Sequence, residues 1–291
     1  MKQRLSLIRF LCVILCFICC GLAIYGNFFA TVSAMPFYDL QPKELTLRAS
    51  FYTSYPASTE ERKNNIKLAS KSLDNVFVDS NSEFSFNDTV GDRTIERGYK
   101  TSKIIFGGQF VDGVGGGVCQ VSTTLYNAVL LAGLPITEYH PHSLAVSYVA
   151  PSFDAMVNSG SADLRFINNT HNPIIIRSFA DDSTIKIEIY GEPMLEKYVR
   201  ISTVKSEIPA PDYKIVYDEE GLYPDLIKGE RKIITFAKNG YISQGSLVKM
   251  INGKMVSSKI IRNDIYKPLQ GVAIEGIKEP LEDKNTLTLP N

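Results

Sequence analysis

A single cysteine near a run of glycines is the residue of this chain with the clearest potential for chemistry. Cys119 directly follows Gly115-Gly116-Gly117-Val118 and begins a segment with helical spacing. A thiol at a helix N-terminus has a lowered pKa, because the helix dipole and the free N–H groups there favour the thiolate. The glycines allow positive φ and leave room for a substrate or a second backbone. This arrangement is typical of a nucleophilic thiol, and neighbouring N–H groups could hold an oxyanion.

Two histidines downstream are the candidates for the base that such a thiol needs. His140 and His142 flank Pro141, which favours extended backbone at the residue before it. Alternate residues of an extended chain point to the same side, so both rings could face one cleft. We favour His142 as the base, because Ser143 and a strand predicted over residues 144–149 would hold its ring. His140 is the alternative base or a residue that orients the substrate, and a purely structural pair in a turn stays open.

Four residues around the thiol and the favoured base are predicted to contact a substrate. Gln120 could donate a hydrogen bond to a developing oxyanion, and Gly117 would let the substrate approach the backbone. Arg93 could bind a carboxylate with two parallel hydrogen bonds, which suits an anionic peptide. Ser143 directly follows His142 and completes this set.

A zinc site is an alternative use of the same residues. Cys119, His140 and His142 could supply three ligands and Asp154 a fourth, since protein zinc sites use three or four such groups. No second cysteine or histidine pattern supports this set, so we predict no metal and no cofactor.

The N-terminal segment predicts that most of the chain lies outside the cytoplasmic membrane. Lys2 and Arg4 precede an apolar run over residues 5–25, which is long enough for one membrane span with its positive end inside. Small residues at 32–34 make a cleaved signal peptide the alternative, with secretion to the cell wall. We therefore treat residues 1–34 as an anchor or signal segment and expect a single-pass membrane protein with an extracytoplasmic domain.

Composition limits the possible partners and cross-links. The 291 residues contain 31 basic and 31 acidic side chains, so net charge gives no argument for binding nucleic acid. Apart from Cys119, the cysteines all lie in the N-terminal segment, at positions 12, 16, 19 and 20. The exported part therefore has one thiol and no internal disulfide.

Hydrophobic periodicity predicts an α+β domain over residues 40–193, with a mixed or antiparallel sheet. Apolar residues at helical spacing predict a helix over 59–75, begun by a capping box of Ser58 and Glu61. A second helix is predicted from Cys119 to about Ala132 and would carry the thiol at its start.

The remainder of the chain predicts a small all-β module over residues 200–278. Asn-Gly pairs at 239–240 and 252–253 are strong signals for β-hairpins. Residues 279–291 are predicted to form a polar tail.

Several motifs of residues 45–190 resemble those of the VanW family, named through vancomycin B-type resistance. They are, in chain order, FSFN at 84–87, VGDRT at 90–94, ERGY at 96–99, GVGGGVCQVSTTLYNA at 113–128 and HPHS at 140–143. Tyr139 departs from the basic residue expected before the last motif. Residues 200–278 resemble a G5-type module, which is often found on cell-surface proteins.

The resemblance implies peptidoglycan L,D-transpeptidation, with Cys119 as the nucleophile of an acyl-enzyme. We therefore expect a cysteine acyltransferase that acts on stem peptides and forms 3–3 cross-links. Its expected partners are these peptides and, through the N-terminal helix, the membrane. Two alternatives stay open: a papain-like or amidase-type cysteine hydrolase of stem peptides, and a non-catalytic module that binds cell wall or glycopeptide.

Overall fold

The computed structural model describes residues 45–279, which are built mainly from strands. Within this range the helices are α1 (Glu60–Leu73), α2 (Phe86–Val90) and α3 (Val118–Leu131). The strands are β1 (Thr46–Ser54), β2 (Val76–Val78), β3 (Glu83–Ser85), β4 (Thr101–Phe106), β5 (Gln109–Val114), β6 (Ile136–Glu138), β7 (Arg165–Ile167), β8 (Ile174–Ala180), β9 (Thr184–Gly191), β10 (Glu196–Ile208), β11 (Lys214–Tyr217), β12 (Arg231–Thr235), β13 (Gly240–Ile251), β14 (Lys254–Tyr266) and β15 (Val272–Glu275).

The predicted membrane or signal segment, residues 1–34, lies outside the described residues, as does nearly all of the predicted tail. Between residues 45 and 279, no helix is both long enough and apolar enough to cross a bilayer.

An antiparallel sheet in the order β1-β9-β8-β2 supports the first part of the fold. Alternate residues of its central strands are fully buried, because successive side chains of a strand point to opposite faces. These residues are Ile174, Ile176, Ile185, Ile187 and Ile189. Helices α1 and α3 contact this sheet, and α3 is buried along most of its length. The predicted combination of helices with an antiparallel sheet is confirmed here.

The N-cap of helix α1 is Thr59, one residue later than the predicted cap at Ser58. Thr59 has extended backbone, and its side chain accepts a hydrogen bond from the N–H of Arg62 at 3.4 Å. The backbone N–H of Ser58 instead donates to the carbonyl of Tyr55 at 3.1 Å, inside the preceding turn. The helix itself is therefore confirmed, whereas the capping box at Ser58 is wrong.

The hairpin β4–β5 leads through three glycines into α3. Gly117 is the N-cap of α3 and has a φ of 111°, a conformation that side chains rarely adopt. A Cβ atom there would lie 2.9 Å from Cγ1 of Ile66 and 3.2 Å from the carbonyl oxygen of Arg62. Glycine therefore lets α3 begin in close contact with α1.

The later strands form two three-stranded sheets, with orders β10-β13-β14 and β11-β15-β12. Asn252 and Gly253 have φ values of 50° and 76° and join β13 to β14, so this predicted hairpin is confirmed. The hairpin predicted at Asn239-Gly240 is wrong, because β12 pairs with β15 rather than with β13. A Cβ atom at Gly240 would lie 2.3 Å from the carbonyl oxygen of Tyr266, so this glycine permits close backbone approach instead.

The two predicted domains contact each other within one compact unit of the chain. Strand β9 ends at Gly191 and β10 begins at Glu196, and residues on both sides of this link pack together. Gly133, just after α3, lies so close to the ring of Tyr198 that a Cβ atom would be 2.6 Å from it. A domain boundary between 193 and 200 therefore stays a prediction.

Candidate functional site

Cys119 is the second residue of α3, and the residue is partly buried against the edge of the hydrophobic core. Its Sγ lies 3.3 Å from the carbonyl oxygen of Val157, to which it can donate. The N–H of Val118 donates to Gly115, and that of Gln120 to Gly117. The N–H of Cys119 between them has no hydrogen-bond partner among residues 45–279. The start of α3 thus places the sulfur beside a free backbone donor.

His142 is the histidine that the structure brings to Cys119. Its side chain is 4% exposed and lies close enough to the thiol for each group to shift the pKa of the other. Its Nδ1 lies 2.7 Å from Oδ2 of Asp154, and its backbone N–H donates to the same oxygen at 2.7 Å. Since Nδ1 is engaged by the carboxylate, Nε2 is the ring nitrogen left for the sulfur. The three side chains form a Cys–His–Asp arrangement.

The electrostatics of this arrangement favour a charged pair. Burial alone raises the pKa of Cys119, but the hydrogen bond and charge of His142, together with the charge of Arg93, hold it below the usual thiol value. Burial alone lowers the pKa of His142, but Asp154 and then Cys119 raise it to about 9. Both shifts favour a thiolate beside an imidazolium.

Asp154 is held from the opposite side by residues of β14. Its Oδ1 accepts hydrogen bonds from the hydroxyl of Tyr266 at 2.5 Å and from Nη2 of Arg262 at 3.3 Å. Nη1 of Arg262 donates to the backbone carbonyl of Asp154 at 2.6 Å. Burial raises the pKa of Asp154, but His142 and Arg262 together lower it, so the carboxylate is charged at neutral pH.

Tyr148 is a further polar side chain beside the thiol. Burial raises its pKa, as do the negative charges of Cys119 and Asp154. Tyr148 therefore keeps its proton and can act as a donor near the sulfur. It lies in residues 144–149, which form no strand in the structure, so the strand predicted there is wrong. Asp154, and not such a strand, holds the ring of His142.

His140 points away from this arrangement. Its Nε2 lies 2.9 Å from Oε1 of Glu138, and its backbone carbonyl accepts from the N–H of Met156 at 2.7 Å. The structure thus pairs the two histidines with different acids, and of the two only His142 lowers the pKa of the thiol. Its proposed role as a base has no support in this geometry.

The predicted substrate-binding residues divide into two groups. The charge of Arg93 acts on the Cys119 thiol, while its Nη1 donates to Oδ1 of Asn87 at 2.9 Å and to the carbonyl of Gly91 at 3.0 Å. Arg93 is therefore close to the site. Gln120 is buried, and its amide nitrogen donates to Oγ1 of Thr53 at 3.0 Å.

Gln120 and the other two predicted contacts are occupied by structural interactions. The second donor bond of Gln120 goes to the carbonyl of Ser54 at 3.2 Å, and its oxygen accepts from Arg62 at 3.0 Å. Gly117 packs against α1, and the carbonyl of Ser143 accepts from the N–H of Lys267 at 2.7 Å. An oxyanion donor is therefore better sought in the N–H of Cys119 than in Gln120.

The alternative zinc set is not assembled. The oxygens of Asp154 are used by His142, Tyr266 and Arg262, and His140 faces Glu138. In the described range 45–279, no group of three or more His, Cys, Asp or Glu side chains is arranged to hold a metal ion.

Comparison with known proteins identifies the segment that carries Cys119 and His142. Residues 61–190 match the family model described as VanW like protein. This part of the chain is therefore similar to the VanW family. The protein YoaR of Bacillus subtilis (strain 168) is 42% identical over 160 residues, which are 55% of this chain and 53% of the relative. The vancomycin B-type resistance protein VanW of Enterococcus faecalis (strain ATCC 700802 / V583) is 26% identical over 144 residues, 47% of this chain and 52% of the relative.

The chain spans about half the length of the curated relatives it matches. Two solved structures of G5 domains are similar to a smaller part of it. The G5 domain of HP0197 covers 28% of the chain at 15% identity with a TM-score of 0.16. The G5 domain of IgA1 protease covers 31% at 18% identity with a TM-score of 0.18. The prediction of a VanW-like domain agrees with the family match, and the G5-like module stays a prediction.

Sequence reasoning missed the partners that complete the site of the VanW-family domain. Asp154 was considered as a zinc ligand and as part of the family resemblance, but not as the partner of His142, although an acid twelve residues after a candidate base was a signal for a third member of a triad. Arg262 and Tyr266 carried no such signal, because they lie outside the matched residues 61–190 and reach the site only through the fold.

Proposed function

We propose that this protein is a cysteine-dependent acyltransferase that acts on peptidoglycan stem peptides as an L,D-transpeptidase. The observation that carries the proposal is the partly buried Cys119 at the start of α3, beside a His142 that Asp154 holds. The VanW-family match and the relative named for vancomycin resistance support a cell-wall substrate.

In the first half of the proposed reaction, the Cys119 thiolate attacks the carbonyl carbon of the donor stem residue. The tetrahedral oxyanion would be stabilised by the free N–H of Cys119, since backbone donors aimed at a developing charge lower the barrier. Collapse of this intermediate breaks the C–N bond to the terminal D-residue. His142 gives its proton to the departing amine, which leaves a thioester on Cys119.

In the second half, the amine of a neighbouring stem attacks the thioester carbonyl. His142 takes the proton that this amine loses, the new amide forms, and the sulfur departs as the thiolate. The imidazolium beside the thiolate is then restored. Bonds and protons balance over the cycle, and the products are a 3–3 cross-link and one free D-amino acid.

The experiment incubates the full-length protein with purified muropeptides that carry tetrapeptide stems and separates the products by liquid chromatography and mass spectrometry. We expect cross-linked dimers and released terminal amino acid from the parent protein, and an acyl adduct on the Cys119 peptide. Cys119→Ala should form neither dimer nor adduct. Dimers formed equally well by Cys119→Ala would refute the proposal.

The same assay separates the alternatives. Shortened stems without dimers would identify a hydrolase, in which water replaces the acceptor amine. Intact stems together with a thiol that a probe labels only after unfolding would identify a binding module. His140→Gln is the matched control for His142→Gln, because both change a histidine of the HPHS motif while only His142 lowers the pKa of the Cys119 thiol.

The proposed substrate requires that the domain lie outside the cytoplasmic membrane. The apolar run of residues 5–25, preceded by Lys2 and Arg4, supports a membrane-anchored protein with an extracytoplasmic catalytic domain. Protease accessibility of the domain in intact cells, compared with lysed cells, tests this placement.

A further inference from the structure

The β10–β13–β14 sheet lies against the loop of residues 151–154, which ends at Asp154. All three strands bond this loop. Oγ of Ser202 in β10 donates to the carbonyl of Pro151 at 2.7 Å. Oγ of Ser243 in β13 lies 2.7 Å from Oγ of Ser152. The loop carrying the acid of the triad is therefore fixed by strands that follow the VanW-family segment.

Strand β14 makes the contacts to Asp154 itself. The Tyr266 hydroxyl donates to its Oδ1 and also accepts from the N–H of Ser152 at 2.7 Å. Arg262 binds both the side chain and the backbone carbonyl of Asp154, and its Nε donates to Oδ2 of Asp264 at 2.6 Å. All of these side chains are buried. Buried charges in such a network keep each other ionised.

We infer that Arg262 and Tyr266 are positioning residues of the Cys119 site, which act by holding the Asp154 carboxylate against His142. The sheet that carries them is thus part of the catalytic unit and not an appended module. The effect of these residues on catalysis rests on the proposed function. Their effect on the charge state of the Cys119 thiol does not.

Three successive interactions connect β14 to the sulfur of Cys119. The guanidinium of Arg262 and the hydroxyl of Tyr266 stabilise the Asp154 anion, and that anion stabilises the His142 imidazolium. The imidazolium in turn stabilises the thiolate. Without either β14 contact, Asp154 binds a proton more readily, the imidazolium loses its partner, and the pKa of Cys119 rises. The charged and titratable groups that face this chain of contacts are Arg93, Tyr126, Tyr139, Tyr148 and Asp264.

The test measures the rate at which iodoacetamide alkylates Cys119 in the full-length protein between pH 5 and pH 10. Peptide-resolved mass spectrometry separates Cys119 from the N-terminal cysteines. We expect Arg262→Met to lower the alkylation rate at pH 6 about tenfold, which corresponds to a rise of one unit in the apparent pKa. Tyr266→Phe should shift the profile in the same direction by less, and Arg262→Lys should restore part of it.

Arg200→Met is the matched control. Arg200 belongs to the same sheet, and its Cζ lies 4.2 Å from the ring centroid of Phe51 and 5.0 Å from that of Phe153. Arg200 forms no hydrogen bond or ion pair with Asp154. This variant should lose thermal stability while it keeps the parent alkylation profile. A merely structural role for Arg262 would make the Arg262→Met and Arg200→Met profiles alike.

The outcomes are distinct even where a variant is unstable. If Arg262→Met shows no cooperative unfolding, Tyr266→Phe and Arg262→Lys decide the question, since both keep most of the side-chain volume. Alkylation profiles of the folded variants that superimpose on the parent would overturn the inference. Failure of the proposed function would appear separately, as a parent protein whose thiol titrates as described but that yields no product from muropeptides.

Discussion

The two three-stranded sheets at the C-terminal end of the described chain differ in what they contribute to the site. The β10–β13–β14 sheet sends Arg262 and Tyr266 into the buried network around Asp154. Within residues 45–279, no hydrogen bond or ion pair joins a side chain of the β11–β15–β12 sheet to Cys119, His142 or Asp154. Two three-stranded sheets thus differ in their importance for the Cys119 site. The difference is whether buried polar side chains of the sheet bond the residues of that site.

The largest effect on activity is expected at Asp154, which the side chains of the β10–β13–β14 sheet contact. Asp154→Asn removes the charge that stabilises the His142 imidazolium, and it also removes one of the two buried carboxylates that pair with Arg262. By analogy with other triads, we expect kcat/KM for muropeptides to fall about 10³- to 10⁴-fold. Steady-state kinetics measure this, with Cys119→Ala as the zero reference. A loss below tenfold would mean that Asp154 is not part of the reacting unit.

The next effect concerns the contact between β13 and the loop before Asp154. A Cβ atom at Gly245 would lie 2.8 Å from the carbonyl oxygen of Ser152 and 3.1 Å from Cγ of Arg262. Gly245→Ala therefore overpacks this contact, and we expect a loss of about 1–3 kcal/mol in the free energy of unfolding. Urea denaturation followed by circular dichroism measures it. An unchanged unfolding midpoint would show that the sheet and the loop separate freely.

The pH dependence gives a third and smaller effect. The pKa of His142 is raised to about 9, so its imidazolium is present at neutral pH and is lost as the pH rises through that value. The lowered pKa of Cys119 keeps the thiolate present below its ordinary range. We expect kcat/KM to be flat near neutrality and to fall about tenfold per unit above pH 9. A profile that still rises between pH 8 and pH 10 would contradict the charged pair.

The smallest effect is expected in the second sheet. Ile233 pairs with Ala273 in β15, and its side chain is largely exposed. Ile233→Thr keeps a β-branched residue in the strand, so we expect the free energy of unfolding to change by no more than about 0.5 kcal/mol. The alkylation profile of Cys119 should also be unchanged. A shift of that profile would show that the β11–β15–β12 sheet reaches the site after all.

Local patterns were sufficient to predict the elements near the thiol. The glycines at 115–117 and the helical spacing after Cys119 correctly predicted a helix that starts at the thiol, since a cap and an apolar stripe are encoded by adjacent residues. The Asn252-Gly253 turn was predictable for the same reason. The similar pair at Asn239-Gly240 was misread, because there the glycine serves a close approach to Tyr266 that no local pattern reveals.

The roles of Arg262 and Tyr266 could not be predicted, because both residues are distant from Asp154 in the sequence. Arg262 lies 108 residues from Asp154, and Tyr266 lies 112 residues from it. His142 was the favoured base, but the reason given, a following strand, was wrong. The ring is held by a carboxylate from another segment, and such contacts are decided by tertiary packing rather than by propensity.

Arg262 donates hydrogen bonds to both the carboxylate and the backbone carbonyl of Asp154. These two bonds have a consequence for the construction of chimeric proteins. Fusing the segment up to Gly191 to the C-terminal half of a different relative would pair this acid with a foreign strand. Only donors that present an equivalent guanidinium and phenol at the matching register would yield a working hybrid. The register of one hairpin strand therefore sets where such sequences can be recombined.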